Sequence, residues 1–306
     1  MRERRFMQVD VFSSSAFKGN PLAVVVDGEG LSDAQMQAFA RWTNLSETTF
    51  LLPTTQPGAD YRLRIFTPSN ELPFAGHPTL GTCHAWLQSG GKPQREGIVI
   101  QECAKGLVPI RVDYSNAAAP LAFAAPSSTR KPFTEEQLAA VLAAMGLQRD
   151  EIVDCALLDN GPLFWALLLR DPDRVMELVP DSSALYAIRA EVGFAAKYAP
   201  QNDALIGRSS REARAFERSA ADDASDIEVR VFFNATTTAV EDPITGSFNA
   251  SFAQWMIDAG HIEAPYVAAQ GTCIDRDGRV HVSRDAQGQV WIGGASHTLI
   301  QGKVTL

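Results

Sequence analysis

Little in this chain points to disulfides, metals, membranes or nucleic acid. The four cysteines, Cys83, Cys103, Cys155 and Cys273, have no paired spacing, so neither a disulfide framework nor a zinc site is indicated. Basic residues are outnumbered, 27 Lys and Arg against 36 Asp and Glu. The net charge of −9 disfavours a nucleic-acid partner, which would ask for a basic face. No stretch approaches the roughly 18 apolar residues of a membrane span. The greasiest run, Leu163–Leu169, reads as a core strand. The basic start Met1-Arg2-Glu3-Arg4-Arg5 meets Gln8, Asp10 and Ser13–Ser15 rather than an apolar signal core, so a reducing, cytoplasmic setting is expected. No strand is followed by Gly-x-Gly-x-x-Gly and no Gly-x-Ser-x-Gly occurs, which disfavours a dinucleotide enzyme and a serine hydrolase.

What the chain does contain is an internal echo. Gly76-His77-Pro78-Thr79-Leu80-Gly81-Thr82 can be laid over Glu241-Asp242-Pro243-Ile244-Thr245-Gly246-Ser247, with His77 on Asp242 and Thr82 on Ser247. Leu63-Arg64-Ile65-Phe66 precedes the first copy and Val229-Arg230-Val231-Phe232 the second. Proline is tolerated at the first helical position, where its missing N–H has no partner to lose. This register therefore makes His77 and Asp242 the N-cap residues. The segments Pro78 to Leu87 and Pro243 to Ile257 contain no Asp, Glu, Lys or Arg. A helix without a charged face is a buried one. Two buried helices with Gly, Thr and Ser in their first turns offer free N–H groups to an anion such as a carboxylate.

Around these helices the chain reads mainly as strands. Ser32 with Gln35, and Thr134 with Gln137, form capping boxes at the start of two further helices; Gly146 stops the second. A helical insert is expected from about Asp171 to Val179, then a strand near Phe194–Tyr198. Pro200–Asp226 reads as a solvated segment, with a cover over a pocket as the alternative. The fold class is α+β: two pseudo-repeated lobes, each a mostly antiparallel sheet wrapped around a buried central helix, with the site in the cleft between them.

One acid breaks the symmetry. Glu47, in Asn44-Leu45-Ser46-Glu47-Thr48-Thr49-Phe50, stands where a helix gives way to a strand heading into the core, and no similar Ser-Glu-Thr setting recurs in the other half. An acid beside an apolar wall can give as well as take protons near neutrality.

Asn44-Leu45-Ser46-Glu47-Thr48, Pro73-Phe74-Ala75-Gly76-His77-Pro78 and Glu241-Asp242-Pro243-Ile244-Thr245-Gly246-Ser247 resemble three signatures of the phenazine-biosynthesis PhzF isomerase family, and Lys18-Gly19-Asn20-Pro21 resembles its Gly-Asn-Pro turn. The resemblance covers nearly the whole chain. It implies a diaminopimelate-epimerase-like fold and a homodimer. The lobes would be residues 1–122, joined by a returning strand at about 291–306, and residues 123–290. It also implies isomerisation without cofactor or metal, with Glu47 as the acid/base and His77, Asp242 and Ser247 beside it. Asn20, Gly76, Gly81, Thr82 and Gly246 are the implied substrate-binding positions. Where related epimerases carry cysteines this chain has His77 and Asp242, which disfavours a two-thiol racemase. Phe248 stands where the family has small residues, and Asp275 and Asp277 replace glycine and proline after Gln270-Gly271. The expected activity is proton transfer on a small, cyclic or hydroxylated, carboxylic acid. A non-catalytic binder of such acids and a dehydratase on the same scaffold are the alternatives.

Overall fold

Strands are the commonest element of the described chain, which in this computed structural model comprises residues 1–113, 120–198, 225–234 and 238–306. In the first lobe, β1 (Glu3–Val11) pairs antiparallel with β2 (Asn20–Val25), and β2 pairs parallel with β3 (Glu47–Leu52). β3 is antiparallel to β4 (Tyr61–Phe66), which takes both the short β5 (Glu71–Leu72), antiparallel, and β6 (Ile98–Cys103), parallel. β7 (Gly106–Arg111) and β8 (Leu121–Ala124) continue the ladder. After β9 (Thr129–Lys131) the same order and the same senses return. They run through β10 (Ile152–Asp159), β11 (Leu163–Leu169), β12 (Glu191–Lys197) and β13 (Ile227–Asn234). β14 (Ala239–Asp242), β15 (Tyr266–Gln270), β16 (Gly278–Arg284) and β17 (Val290–Gly294) complete the copy. β18 (Ser296–Thr305) goes back to pair with β1, as β9 pairs with β10. β8 and β17 are antiparallel neighbours, so the halves share one ladder, and a division after residue 122 would cut through β8.

Six helices accompany the strands among the described residues: α1 (Asp33–Thr43), α2 (Gly76–Gln88), α3 (Glu135–Met145), α4 (Pro172–Glu177), α5 (Ser182–Ile188) and α6 (Gly246–Asp258). Both expected capping boxes form, Ser32 with Gln35 and Thr134 with Gln137, and Gly146 ends α3 in the left-handed region at φ 61°. The outer helices do not repeat one for one. By strand pairing the counterpart of α1 is the α4–α5 pair, which lies between β11 and β12 as α1 lies between β2 and β3; α3 is the addition. The segment Pro200–Asp226, read as solvated with a cover as the alternative, lies outside the described residues except for Ser225 and Asp226.

The uncharged helices are the core. In α2 every residue from Gly76 to Cys83 is buried, and in α6 every residue from Gly246 to Ala253. Each sheet curls around its helix because no face of that helix can be left in water. A duplicated ion pair braces each lobe. Arg64 on β4 forks onto Glu71 of β5 at 2.7 and 2.6 Å, and Arg230 on β13 forks onto Glu241 of β14 at 3.0 and 2.7 Å.

Candidate active site

The amino ends of α2 and α6 meet backbone to backbone. A methyl group built on Gly76 would lie 2.7 Å from the Gly246 carbonyl carbon and 2.9 Å from Phe123, and one on Gly246 would lie 3.0 Å from the Gly76 Cα. Only glycine permits this approach. Gly76→Ala is expected to lower stability in urea or thermal unfolding by about 1–3 kcal/mol, the cost of overpacking. An unchanged melting temperature would mean that the two starts do not touch.

The caps are not the expected ones. Ala75 and Thr245 occupy the N-cap positions, and neither makes a side-chain capping bond. Pro78 is the third residue of α2, a position whose missing N–H is as harmless as at the first, because none of the first turn's N–H groups has an intrahelical partner. Asp242 and Pro243 precede α6 altogether. The structural repeat thus lays Gly76 on Gly246 and His77 on Ser247, replacing the pairing of His77 with Asp242. The first intrahelical donors are Thr79, bonding to Ala75, and Asn249, bonding to Thr245. The N–H groups before them form a paired, positively polarised surface.

Side chains from both lobes gather over that surface. Glu47, the first residue of β3, brings Oε2 to 2.9 Å from Nδ1 of the buried His77. The contact is a close approach rather than an aligned hydrogen bond: Oε2 has no hydrogen-bond donor, and the far nitrogen of His77, Nε2, is buried without a partner. Asp242 closes the group from the end of β14. Its Oδ2 accepts from Thr245 Oγ1 at 2.6 Å and its Oδ1 from Asn20 Nδ2 at 3.3 Å. Burial, followed by the charge of Glu47, pushes the Asp242 carboxyl up to about 6 against those bonds and against His77. Asp242 as a whole is half-buried.

The second-lobe helix start is held from several sides. Asn20 Nδ2 also reaches the carbonyl of Ile244 at 3.0 Å, so a first-lobe residue fixes the second-lobe loop. Gln270 receives Thr245 N–H at 3.1 Å and Asn249 Nδ2 at 2.9 Å, and donates to the Asp242 carbonyl at 3.2 Å. Asn160, in the turn between β10 and β11, donates to the Ser247 carbonyl at 2.8 Å. Ser247 itself is buried as the second residue of α6. Gly81 and Thr82 are not brought to the cluster. Gly81 faces Leu22 and Val11, where an added methyl would lie 2.6 and 2.8 Å away, and Thr82 donates to Thr49 at 2.9 Å inside the core. Phe248, the bulky residue of α6, is accommodated because Gly193 on β12 has no side chain: a methyl there would stand 2.2 Å from the ring.

A second acid joins the group. Leu22 of β2 faces Glu47 of β3, and in the copy Phe164 of β11 faces Glu191 of β12. Each glutamate opens its strand, two or three residues after a left-handed helix cap, Asn44 at φ 54° and Arg189 at φ 58°. Alternate residues of a strand share a face. Thr49 turns toward α2, as its bond from Thr82 shows, and so does Glu47; Gly193 turns toward α6, and so does Glu191. Burial, then the charges of Asp242 and Glu47, push the Glu191 carboxyl up to about 7. The sequence reading began this strand three residues late, at Phe194, and so left the glutamate in a loop.

A cavity of about 790 Å³ elsewhere, lined by Arg2, Arg5, Asp27 and Trp86 among others, contains none of these residues, and its Arg5 and Asp27 are paired at 2.7 Å. No group of three or more His, Cys, Asp or Glu among the described residues is arranged to hold a metal ion. No helix among the described residues is long and apolar enough to cross a membrane.

Two curled half-repeats with touching helix starts make this the diaminopimelate-epimerase-like fold, seen also in a Bacillus anthracis phenazine biosynthesis protein of the PhzF family. That structure aligns with a TM-score of 0.77 over 100% of both chains at 20% identity. The family model for phenazine biosynthesis-like proteins, PhzC-PhzF, matches residues 9–302, and the chain belongs to that family. It is 33% identical to antisense-enhancing sequence 1 of Schizosaccharomyces pombe over 99% of each chain. It is 37% identical to the trans-2,3-dihydro-3-hydroxyanthranilate isomerase of Pseudomonas aeruginosa over 59% of this chain and 63% of the relative. With this membership the protein is an enzyme of the isomerase class.

Proposed function

We propose that the protein moves a proton on a small carboxylic acid, with Glu47 as the general acid/base. The observation that carries the reading is the 2.9 Å contact of Glu47 with His77 directly above two facing, uncapped helix starts. The substrate carboxylate lies on the free N–H groups, which stabilise the charge that develops as the α or vinylogous proton leaves. Glu47 takes that proton and returns it at another carbon. His77 orients the carboxylate, and Asp242, with its raised proton affinity, exchanges protons with polar substituents of the substrate. Asn20, Gly76, Ser247 and Gly246 fix the pose by the contacts described. Cyclic hydroxylated acids of the dihydro-hydroxyanthranilate kind, named for the Pseudomonas relative, are the substrate class that fits a site with several proton-exchanging groups and one anion seat. The four free cysteines suit a reducing compartment, which we assign as the cytoplasm.

The test is incubation in heavy water with trans-2,3-dihydro-3-hydroxyanthranilate and a panel of hydroxy and amino acids, followed by NMR. Deuterium uptake with a shifted double bond or inverted carbon is expected. Loss of water would make the enzyme a dehydratase, and saturable binding with no label would make it a binder.

A further inference from the structure

We propose that Glu191 is a second acid/base residue of this cleft, set on the second lobe as Glu47 is on the first, so that the site can also invert a carbon α to the substrate carboxylate. The inference rests on the proton-transfer reading above. The pairing registers place Glu191 where the repeat requires the counterpart of Glu47, at the start of β12 and on the face turned to α6. In the first lobe that position puts a carboxylate on His77, the second residue of α2. In the second lobe it belongs over Ser247, the second residue of α6. Because the two helices touch at Gly76 and Gly246, a carboxylate seated there has one glutamate on each side.

The charges acting on Glu191 are those of Asp242, at the end of β14, and Glu47. The neighbouring acid on β14, Glu241, is tied to Arg230, and Arg189 at the end of α5 lies 5.2 Å over Tyr186. Like charges in one crevice cannot all ionise together, so near neutrality a proton is held among them. With that proton on Glu191, the step balances. Glu47 removes the α proton, the C–H pair passes into the substrate as an enolate, and the O–H of Glu191 delivers its proton to the same carbon from the other face. One proton leaves, one arrives, and the negative charge moves from Glu47 to Glu191. Glu47 alone can only return a proton on its own face.

The experiment compares wild type, Glu191→Gln and Glu47→Gln in heavy water. The probes are trans-2,3-dihydro-3-hydroxyanthranilate and single enantiomers of α-hydroxy and α-amino acids; label is read by NMR and configuration by chiral chromatography. Inversion is expected to fall at least 100-fold in Glu191→Gln, while label introduced through Glu47 persists. Label without inversion in the wild type, or inversion unchanged in Glu191→Gln, overturns the proposal. If the wild type labels no probe, the proton-transfer reading itself has failed. Carboxyl titration with ¹³C-labelled glutamate then decides the pairing. A midpoint near 7 that is absent in Glu191→Gln and falls in Glu47→Gln supports it. A midpoint near the ordinary ~4.3 that ignores Glu47 overturns it.

Discussion

Glu47→Gln is expected to cut deuterium uptake about 1000-fold or more while substrate affinity stays within a few-fold. A positioned acid/base group contributes roughly 10²–10⁴ to rate, and an amide of the same shape cannot take a carbon-bound proton at neutral pH. The proposed anion seat uses backbone N–H groups of α2 and α6, which the change leaves intact. The variant also carries an electrostatic signature. The charge of Glu47 raises both Asp242 and Glu191, so removing it lets both ionise at lower pH than in the wild type. Undiminished uptake by Glu47→Gln would remove it from the chemistry, and unmoved titrations of its neighbours would remove it from the cluster.

Arg230→Met is expected to cost about 3–5 kcal/mol, the penalty of leaving a buried charge unpaired. Arg230 and Glu241 are 6% and 7% exposed, and the guanidinium also donates to the carbonyls of Val175, Met176 and Leu178 at the end of α4, at 3.1, 3.3 and 2.7 Å. In a chain of this size the melting temperature should fall by roughly 10 °C. Removing Glu241 as well, as Arg230→Met with Glu241→Leu, is expected to restore most of the loss, because no charge then remains to be solvated. Arg64→Met is the control from the other lobe. Its partners Glu71 and Asp33 are 37% and 82% exposed, and the cost there is expected to be about 1 kcal/mol or less. Equal losses in the two lobes would show that burial does not set the value of this repeated pair.

Much of this arrangement is legible in the residues alone. The uncharged runs could only be interior helices, and the matched Arg64 and Arg230 motifs announced a repeat, whose strand pairings only the structure supplied. Glu47 stood out because a helix, a turn and an apolar strand frame it within a few residues. The register of the helix starts did not follow from sequence, because proline drew His77 onto Asp242. Nine residues lie between Phe66 and Gly76 and thirteen between Phe232 and Gly246, so the second hairpin is longer and the conspicuous prolines fall out of step. Glu191 was hidden for a related reason. Its equivalence with Glu47 lies in which strand each residue hydrogen-bonds beside, and Arg189-Ala190-Glu191 shares no local pattern with Asn44-Leu45-Ser46-Glu47. The left-handed caps at Asn44 and Arg189 were the nearest local clue, but arginine rarely signals that conformation.

The pairing of β18 with β1 joins Glu3 to Thr305 and Val11 to Ser296, so β1 is completed by a strand made long after it. During synthesis the outer edge of β1 stays open until β18 has been made. The second lobe has no such wait, since β9 reaches β10 from just upstream. Its fold can therefore close first on the nascent chain, and the half that carries Glu47 and His77 is sealed only once β18 has emerged.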